Sequence, residues 1–240
     1  AKKFACTGVF IECNACSATI LTSASLVRVP GDAHMIDDTL RIEVCLPNKF
    51  RVVGILKGYN LHYNVALVDI IGCWDPHAIQ ISGRPVTSSM DVIAVGCLFA
   101  YRKLMAVEGK VLIGKQSKFD CTELCVSTCK ITKAGIGGPL IDTDGNFVGM
   151  NFYDEEETPF LPRDLICRLL LNVNKEWWLV QMILLWSVTK TDGCCLAGHT
   201  EILMETDGRC LSHVLLVLEM SACRIRPSDS AVQPQAGLLP

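Results

Sequence analysis

The residues best equipped for chemistry are the thiols, 14 of them in 240 positions. Cys13 and Cys16 stand as Cys-x-x-Cys, the spacing of a zinc half-site or a redox pair. A tetrahedral zinc needs two more ligands at similar local spacing. No second Cys-x-x-Cys and no His-x3–5-His follows, so the pair reads as a tight turn between two strands, and neither metal nor other cofactor is expected. Cys121, Cys125 and Cys129 recur every fourth residue, which places them on one face of a helix or a strand. A small cluster of buried thiols is expected there. Cys97 and Cys129 fall on predicted buried strands and read as inert core thiols. His62 reads as a half-exposed histidine ahead of a strand, without a nucleophile beside it. The run Asp154-Glu155-Glu156-Glu157 would suit basic peptides, but a solvated loop is the preferred reading.

Strand signals must position these groups. Short β-branched runs alternate with turn residues over 5–155: Thr19–Ser23, Leu40–Leu46, Phe50–Leu56, Val65–Ile70, Asp91–Gly96, Leu104–Leu112, Thr128–Thr132, Pro139–Ile141 and Phe147–Phe152. Pro47-Asn48-Lys49 and Thr143-Asp144-Gly145 read as hairpin turns. Many short, evenly spaced strands without a long amphipathic helix predict closed antiparallel barrels, and leave one barrel or two open. Pro162 opens a helix over Arg163 to Leu171.

Lys133-Ala134-Gly135-Ile136-Gly137-Gly138-Pro139-Leu140 resembles the Gly-x-Ser-Gly-Gly-Pro-Leu nucleophile loop of trypsin-like serine proteases, with isoleucine in place of serine. Further segments fit the same family in the same order. Gly8-Val9-Phe10-Ile11 and Ile20-Leu21-Thr22-Ser23-Ala24-Ser25-Leu26-Val27 are similar to the HtrA/Deg segment that carries the general-base histidine, which falls on Ser25. Asn64-Val65-Ala66-Leu67-Val68-Asp69-Ile70 resembles the segment of the triad aspartate, which falls on Asn64. Val92-Ile93-Ala94-Val95-Gly96-Cys97-Leu98-Phe99 and Asp144-Gly145-Asn146-Phe147-Val148-Gly149-Met150-Asn151 match two more family strands. The overall look is nearest to degenerate plant-type members.

The resemblance covers about residues 5–170 and implies an all-β fold of two antiparallel six-stranded barrels, with the old cleft between them. It implies barrels at about 1–75 and 88–155 within a domain spanning 1–171, joined by a crossover near Asp75–Thr87, with a helix after the second barrel. It also sets the expected chemistry. A triad needs a hydroxyl nucleophile, an imidazole to take its proton and a carboxylate to orient the imidazole. Ser25 is no base at neutral pH, Asn64 carries no charge, and Ile136 has neither lone pair nor proton to lose. The oxyanion donors would be the N–H groups of Ala134 and Ile136. Ala134 stands where the family has glycine, and its Cβ penalises a positive φ, so a misshapen hole is expected.

Residues 172–240 lie beyond the resemblance and read as an extension: an apolar helix around Trp177–Val188, then a poorly defined, disordered tail. The apolar stretch of about 12 residues is shorter than the ~20 a bilayer needs. No Gly-Leu-Gly-Phe loop of a PDZ domain follows. Net charge is −3 and the pI about 6.0, so no basic field exists for nucleic acid and no polybasic segment for an anionic membrane. The start Ala1-Lys2-Lys3-Phe4 gives no secretory signal, so reduced thiols and an intracellular rather than secreted protein are expected, with the compartment open. The expected function is a proteolytically inactive protease homologue, not an enzyme, that binds an extended peptide or a protein as a regulatory module. Homo-oligomers are compatible with the resemblance. The alternatives are a serine endopeptidase using displaced residues and a decaying homologue without function.

Overall fold

The structure, a computed structural model, describes residues 4–171 except 30, 33, 38, 48–49, 73–77, 82–84, 100, 102, 113, 115–116, 118 and 120, together with the backbone of residues 219–224. The expected helix around Trp177–Val188 and the tail after 224 lie outside the described residues. The first unit is built from β1 (Phe4–Cys6), β2 (Gly8–Cys13), β3 (Ser17–Ser23), β4 (Leu40–Cys45), β5 (Arg51–Asn60) and β6 (Val65–Ile71). The second is built from β7 (Asp91–Leu98), β8 (Lys103–Leu112), β9 (Cys125–Ser127), β10 (Pro139–Asp142), β11 (Phe147–Asn151) and β12 (Thr158–Pro162). A helix, α1, follows over residues 163–171, and β13 (Glu219–Arg224) is the last described element.

The second unit is the closed six-stranded antiparallel barrel that was expected, in the order β10-β11-β12-β9-β8-β7. The first differs from its expected six strands. It is a seven-stranded sheet, β1-β13-β4-β5-β6-β3-β2. Its two end strands, β1 and β2, are consecutive in the chain and separated by Thr7 alone, so the sheet curls back on itself. The seventh strand comes from the region expected to stand apart as an extension. β13 pairs antiparallel with β4 from Glu219–Cys45 to Arg224–Leu40, and with β1 from Phe4–Ala222 to Cys6–Met220. Inserted there, it supplies backbone partners to two strands that would otherwise present open edges.

Alternation divides the apolar residues into three clusters. On β3, Ala18 and Ile20 point into the first unit, where they meet Phe10, Val44, Val68 and Ile70. Leu21 points the other way, to a cluster shared by both units with Val9, Leu67, Val95, Met150 and Leu161. On β7, Val92 and Ala94 fill the second barrel with Leu140, Val148 and Phe160, while Val95 and Cys97 join the shared cluster. Helix α1 lays Leu165 and Ile166 onto that same cluster, which explains the apolar spacing of a helix that follows directly on Pro162. Ile79, in the expected crossover, donates its N–H to the Phe10 carbonyl at 2.8 Å and is buried there too.

Two strands escape the pattern of the sequence. β9 lies at Cys125–Ser127, not at Thr128–Thr132, because the pairings of Val126 and Ser127 with β8 and β12 end before Thr128. β12 contains Pro159 and Pro162, residues that argue against a strand. Pro159 nevertheless sits in register with Val126, and its carbonyl accepts the Phe152 N–H at 2.7 Å, so the strand keeps that bond although proline can return none. The Thr143-Asp144-Gly145 turn forms as expected, with Asp142 Oδ1 accepting the N–H groups of Asp144 and Asn146 and Gly145 at φ 86°, which glycine adopts without penalty, while Asn48 and Lys49 of the other expected turn lie outside the described residues. No helix among the described residues is long and apolar enough to cross a membrane.

Truncating the chain at residue 218 removes β13. Faster amide exchange is expected in β1 and β4, with exchange in β7 to β12 unchanged; unaltered protection of β4 would refute the pairing.

Candidate functional site

The candidate site forms where the loop Lys133–Gly138 meets the ends of β3 and β6. Ser25 sits in a short 3-10 turn, Ala24–Leu26, capped by Ser23, whose hydroxyl accepts the Ser25 N–H at 3.2 Å. Asn64 ends the turn after β5 with φ 52°, a left-handed conformation that asparagine tolerates better than most residues. Its carbonyl accepts the Ala24 N–H at 3.0 Å, which ties the two turns together. The side chains meet as well. The Ser25 hydroxyl lies 3.2 Å from Asn64 Oδ1, to which it donates, and 3.0 Å from Asn64 Nδ2, from which it accepts. Both are neutral, so the pair is a hydrogen-bonded contact without a proton acceptor of useful basicity.

Ile136 follows a second 3-10 turn, Lys133–Gly135. It is half-buried and packs onto the interior cluster of the first unit. Its neighbour Gly137 presses against β3: a Cβ there would stand 2.9 Å from Thr22 Oγ1 and 3.0 Å from the Ser23 nitrogen. The fold thus brings positions 25 and 64 into contact and sets the loop that carries 136 against the end of β3.

The N–H groups of residues 134–138 are all engaged within the chain. Ala134 donates to Thr132 Oγ1 at 3.3 Å, Gly135 to the Thr132 carbonyl at 2.9 Å and Ile136 to the Lys133 carbonyl at 3.3 Å. Gly137 donates to the Asn151 carbonyl at 2.9 Å and Gly138 to the Gly135 carbonyl at 3.0 Å. An oxyanion hole needs at least two such donors aimed outward at a developing negative charge. Here they close a helical turn instead. Ala134 does not appear among the positive-φ residues, consistent with the penalty its Cβ would meet there.

One residue essential to this arrangement carries no sequence signal of its own. Thr7, fully buried between β1 and β2, donates its N–H to the Ile136 carbonyl at 2.8 Å and its hydroxyl to the Ala134 carbonyl at 2.7 Å. The same hydroxyl accepts the Cys97 N–H at 3.1 Å, and the Thr7 carbonyl accepts the Thr22 hydroxyl at 2.7 Å. The loop, β7 and β3 are all fastened to it.

The other singled-out groups fall elsewhere. Asn14 folds the Cys13–Cys16 turn as expected, its Oδ1 accepting the N–H groups of Cys16 and Ser17. Among the described residues no third ligand joins that thiol pair. Cys121, Cys125 and Cys129 do not form one cluster. Cys121 joins the cluster shared by the units, whereas Cys125 and Cys129 face the second barrel, because β9 begins only at Cys125. Burial pushes all three thiols up, and Cys6 to about 11, so none is an activated nucleophile. His62 is the clearer correction. It does have a thiol beside it, since its donor nitrogen, Cys121 Sγ and a Glu123 carboxylate oxygen all lie within 4.8 Å of one another. The acidic run is only partly solvated: Glu155 and Glu156 are exposed, whereas Glu157 is 5% exposed. A surface cavity of about 510 Å³ lies away from the cleft, lined by Pro85, Thr87, Met90, Asp91 and Asp142–Asp144.

Residues 6–150 match the family model described as the trypsin-like peptidase domain. The chain belongs to this family. Among solved structures, the trypsin-like fold resembles the protease domain of MamO from Magnetospirillum magneticum in its apo form, with TM-score 0.54 and 17% identity, covering 67% of this chain and 85% of that one. It also resembles a serine endoprotease from Yersinia pestis, with TM-score 0.52 and 19% identity, covering 69% of this chain and 56% of that one. Among curated protein sequences, none matches. These likenesses establish the fold, and the chemistry must be read from the residues present.

Two measurements check the site. Thr7→Val strands the buried Ala134 carbonyl and the Cys97 N–H; a loss of roughly 2 kcal/mol or more is expected in denaturant unfolding. Gly137→Ala, at φ 77° with a Cβ 2.4 Å from the Thr7 carbonyl, is expected to cost at least as much. In timed alkylation of native protein, exposed Cys16 reacts first and Cys6 last among the thiols of the described residues. The Cys6 thiolate forms more readily in the unfolded chain, so stability should fall as pH rises from about 9 to about 11.

Proposed function

We propose that this trypsin-like domain does not cleave peptide bonds and serves as a peptide- or protein-binding regulatory module. The observation that carries the reading is the state of the cleft: Ser25 and Asn64 bond to each other, Ile136 fills the nucleophile position, and every N–H from 134 to 138 is donated internally. A general base, a nucleophile and an oxyanion hole are each absent from the site, and acyl transfer needs all three for efficient turnover. Changing one of them back leaves the other two wanting. Displaced catalysis by Cys121 and His62 is disfavoured by the thiol itself, which burial holds protonated and which bonds to Glu123.

What remains is a packed double-unit scaffold with strands at its surface. Such a surface holds extended peptides by main-chain pairing. Binding is therefore the function that asks least of the residues present.

A fluorophosphonate probe is expected to label no serine in the wild-type protein, and Ile136→Ser alone is expected to stay unlabelled and without peptide turnover. Serine labelling, or turnover lost to a serine-directed inhibitor, would overturn the inactive reading. Co-purification of one discrete partner supports binding, whereas an aggregating product without fixed tertiary structure would favour a decayed homologue.

A further inference from the structure

We propose that His62, Cys121 and Glu123 form a binding site for a single zinc-type divalent cation at the junction of the two units. The ligands come from both sides. His62 stands in the turn between β5 and β6, and Cys121 and Glu123 stand in the segment between β8 and β9. Their donor atoms, one imidazole nitrogen, one thiol sulfur and one carboxylate oxygen, all lie within 4.8 Å of one another. Among the described residues this is the one such group of three.

The donor set selects the metal. Calcium and magnesium take oxygen ligands throughout. A sulfur, a nitrogen and a carboxylate oxygen are the three donor types zinc uses, and together they fit a four-coordinate ion with one position open. Thiolate and carboxylate would neutralise the dication. Cys121 is buried, whereas His62 and Glu123 are exposed, so a solvent molecule can take the fourth position. A tetrahedral zinc brings its ligands to roughly 3.3–3.7 Å apart. The two ligands that would move to reach that spacing, His62 and Glu123, are the exposed ones.

The surroundings already orient the ligands. Tyr63 donates its hydroxyl to Glu123 Oε1 at 3.3 Å, and Thr122 donates to Glu123 Oε2 at 3.2 Å. The Tyr63 ring meets the His62 ring edge-on at 4.6 Å and 76°. Such outer contacts fix ligand orientation in metal sites. The Cys121 thiol donates to Glu123 Oε2 at 3.5 Å. On binding, that proton leaves to solvent and the metal takes its place between sulfur and oxygen. The proposal uses none of positions 25, 64 and 136, so it stands or falls separately from the loss of proteolysis.

The test titrates the full chain, reduced and stripped with chelator, with cobalt(II) alone. One equivalent is expected to give tetrahedral visible bands and a thiolate charge-transfer band, both displaced by zinc. Cys121→Ser abolishes the thiolate band, while His62→Gln and Glu123→Gln each weaken binding by at least about tenfold. Cys13→Ser with Cys16→Ser changes nothing. Absence of the thiolate band, or its survival in Cys121→Ser, overturns the proposal. Should Cys121→Ser fail to fold, alkylation mapping of the wild-type chain decides: zinc must protect Cys121, and unprotected Cys121 refutes the site.

Discussion

Thr7 is the point on which the two units depend. It interrupts β1 and β2, so its backbone groups are withdrawn from the sheet and must be satisfied elsewhere. The N–H is satisfied across the interface by the Ile136 carbonyl and the carbonyl within the first unit by the Thr22 hydroxyl, while the Thr7 hydroxyl serves Ala134 and Cys97 of the second unit. Because the residue is fully buried, each of these bonds would be costly to leave unmade. The apolar cluster shared by the units supplies the area, but it is non-directional. The directional bonds at Thr7 set where the loop 133–138 comes to rest.

That placement explains why the loop keeps its glycines with isoleucine at 136. Gly137 lies against the Thr7 carbonyl and Gly138 against the Val95 carbonyl, where a Cβ would approach to 2.4 and 2.2 Å. Gly137 is demanded by close backbone contact between the units and Gly138 by close backbone contact within the second, and this demand is independent of any reaction. The side chain at 136 points to the first unit and is free of that restriction. Isoleucine there adds apolar contact to the first unit's interior. The motif Gly-Gly-Pro-Leu is thus a record of packing, and the missing serine a record of chemistry.

Much of the fold was legible because alternation was strong. The residues of β3, β6 and β7 divide cleanly between an interior and the shared cluster, and their strands were readable at nearly their true bounds. β12 was hidden by its prolines, which the register nevertheless accommodates, and β9 by a β-branched run that continues past its last pairing. β13 could not be read, since what makes Glu219–Arg224 a strand is the pair of edges that receives it. The nearness of positions 25 and 64 was expected from the family pattern. The bonding of Ser25 to Asn64 and the closed turn of the loop were not.

The sequence by itself determined what the cleft lacks, because side-chain chemistry does not depend on conformation: isoleucine has no nucleophilic atom and asparagine no charge wherever they sit. It also determined the strand rhythm, through the period of two. Tertiary structure alone decided what the cleft retains and what lies beside it. Whether an N–H faces inward or outward is a property of the turn that holds it. Whether His62 meets Cys121 and Glu123, some 60 positions away, is a property of how two units close on each other. Local pattern fixes identity and periodicity; only long-range contact fixes juxtaposition.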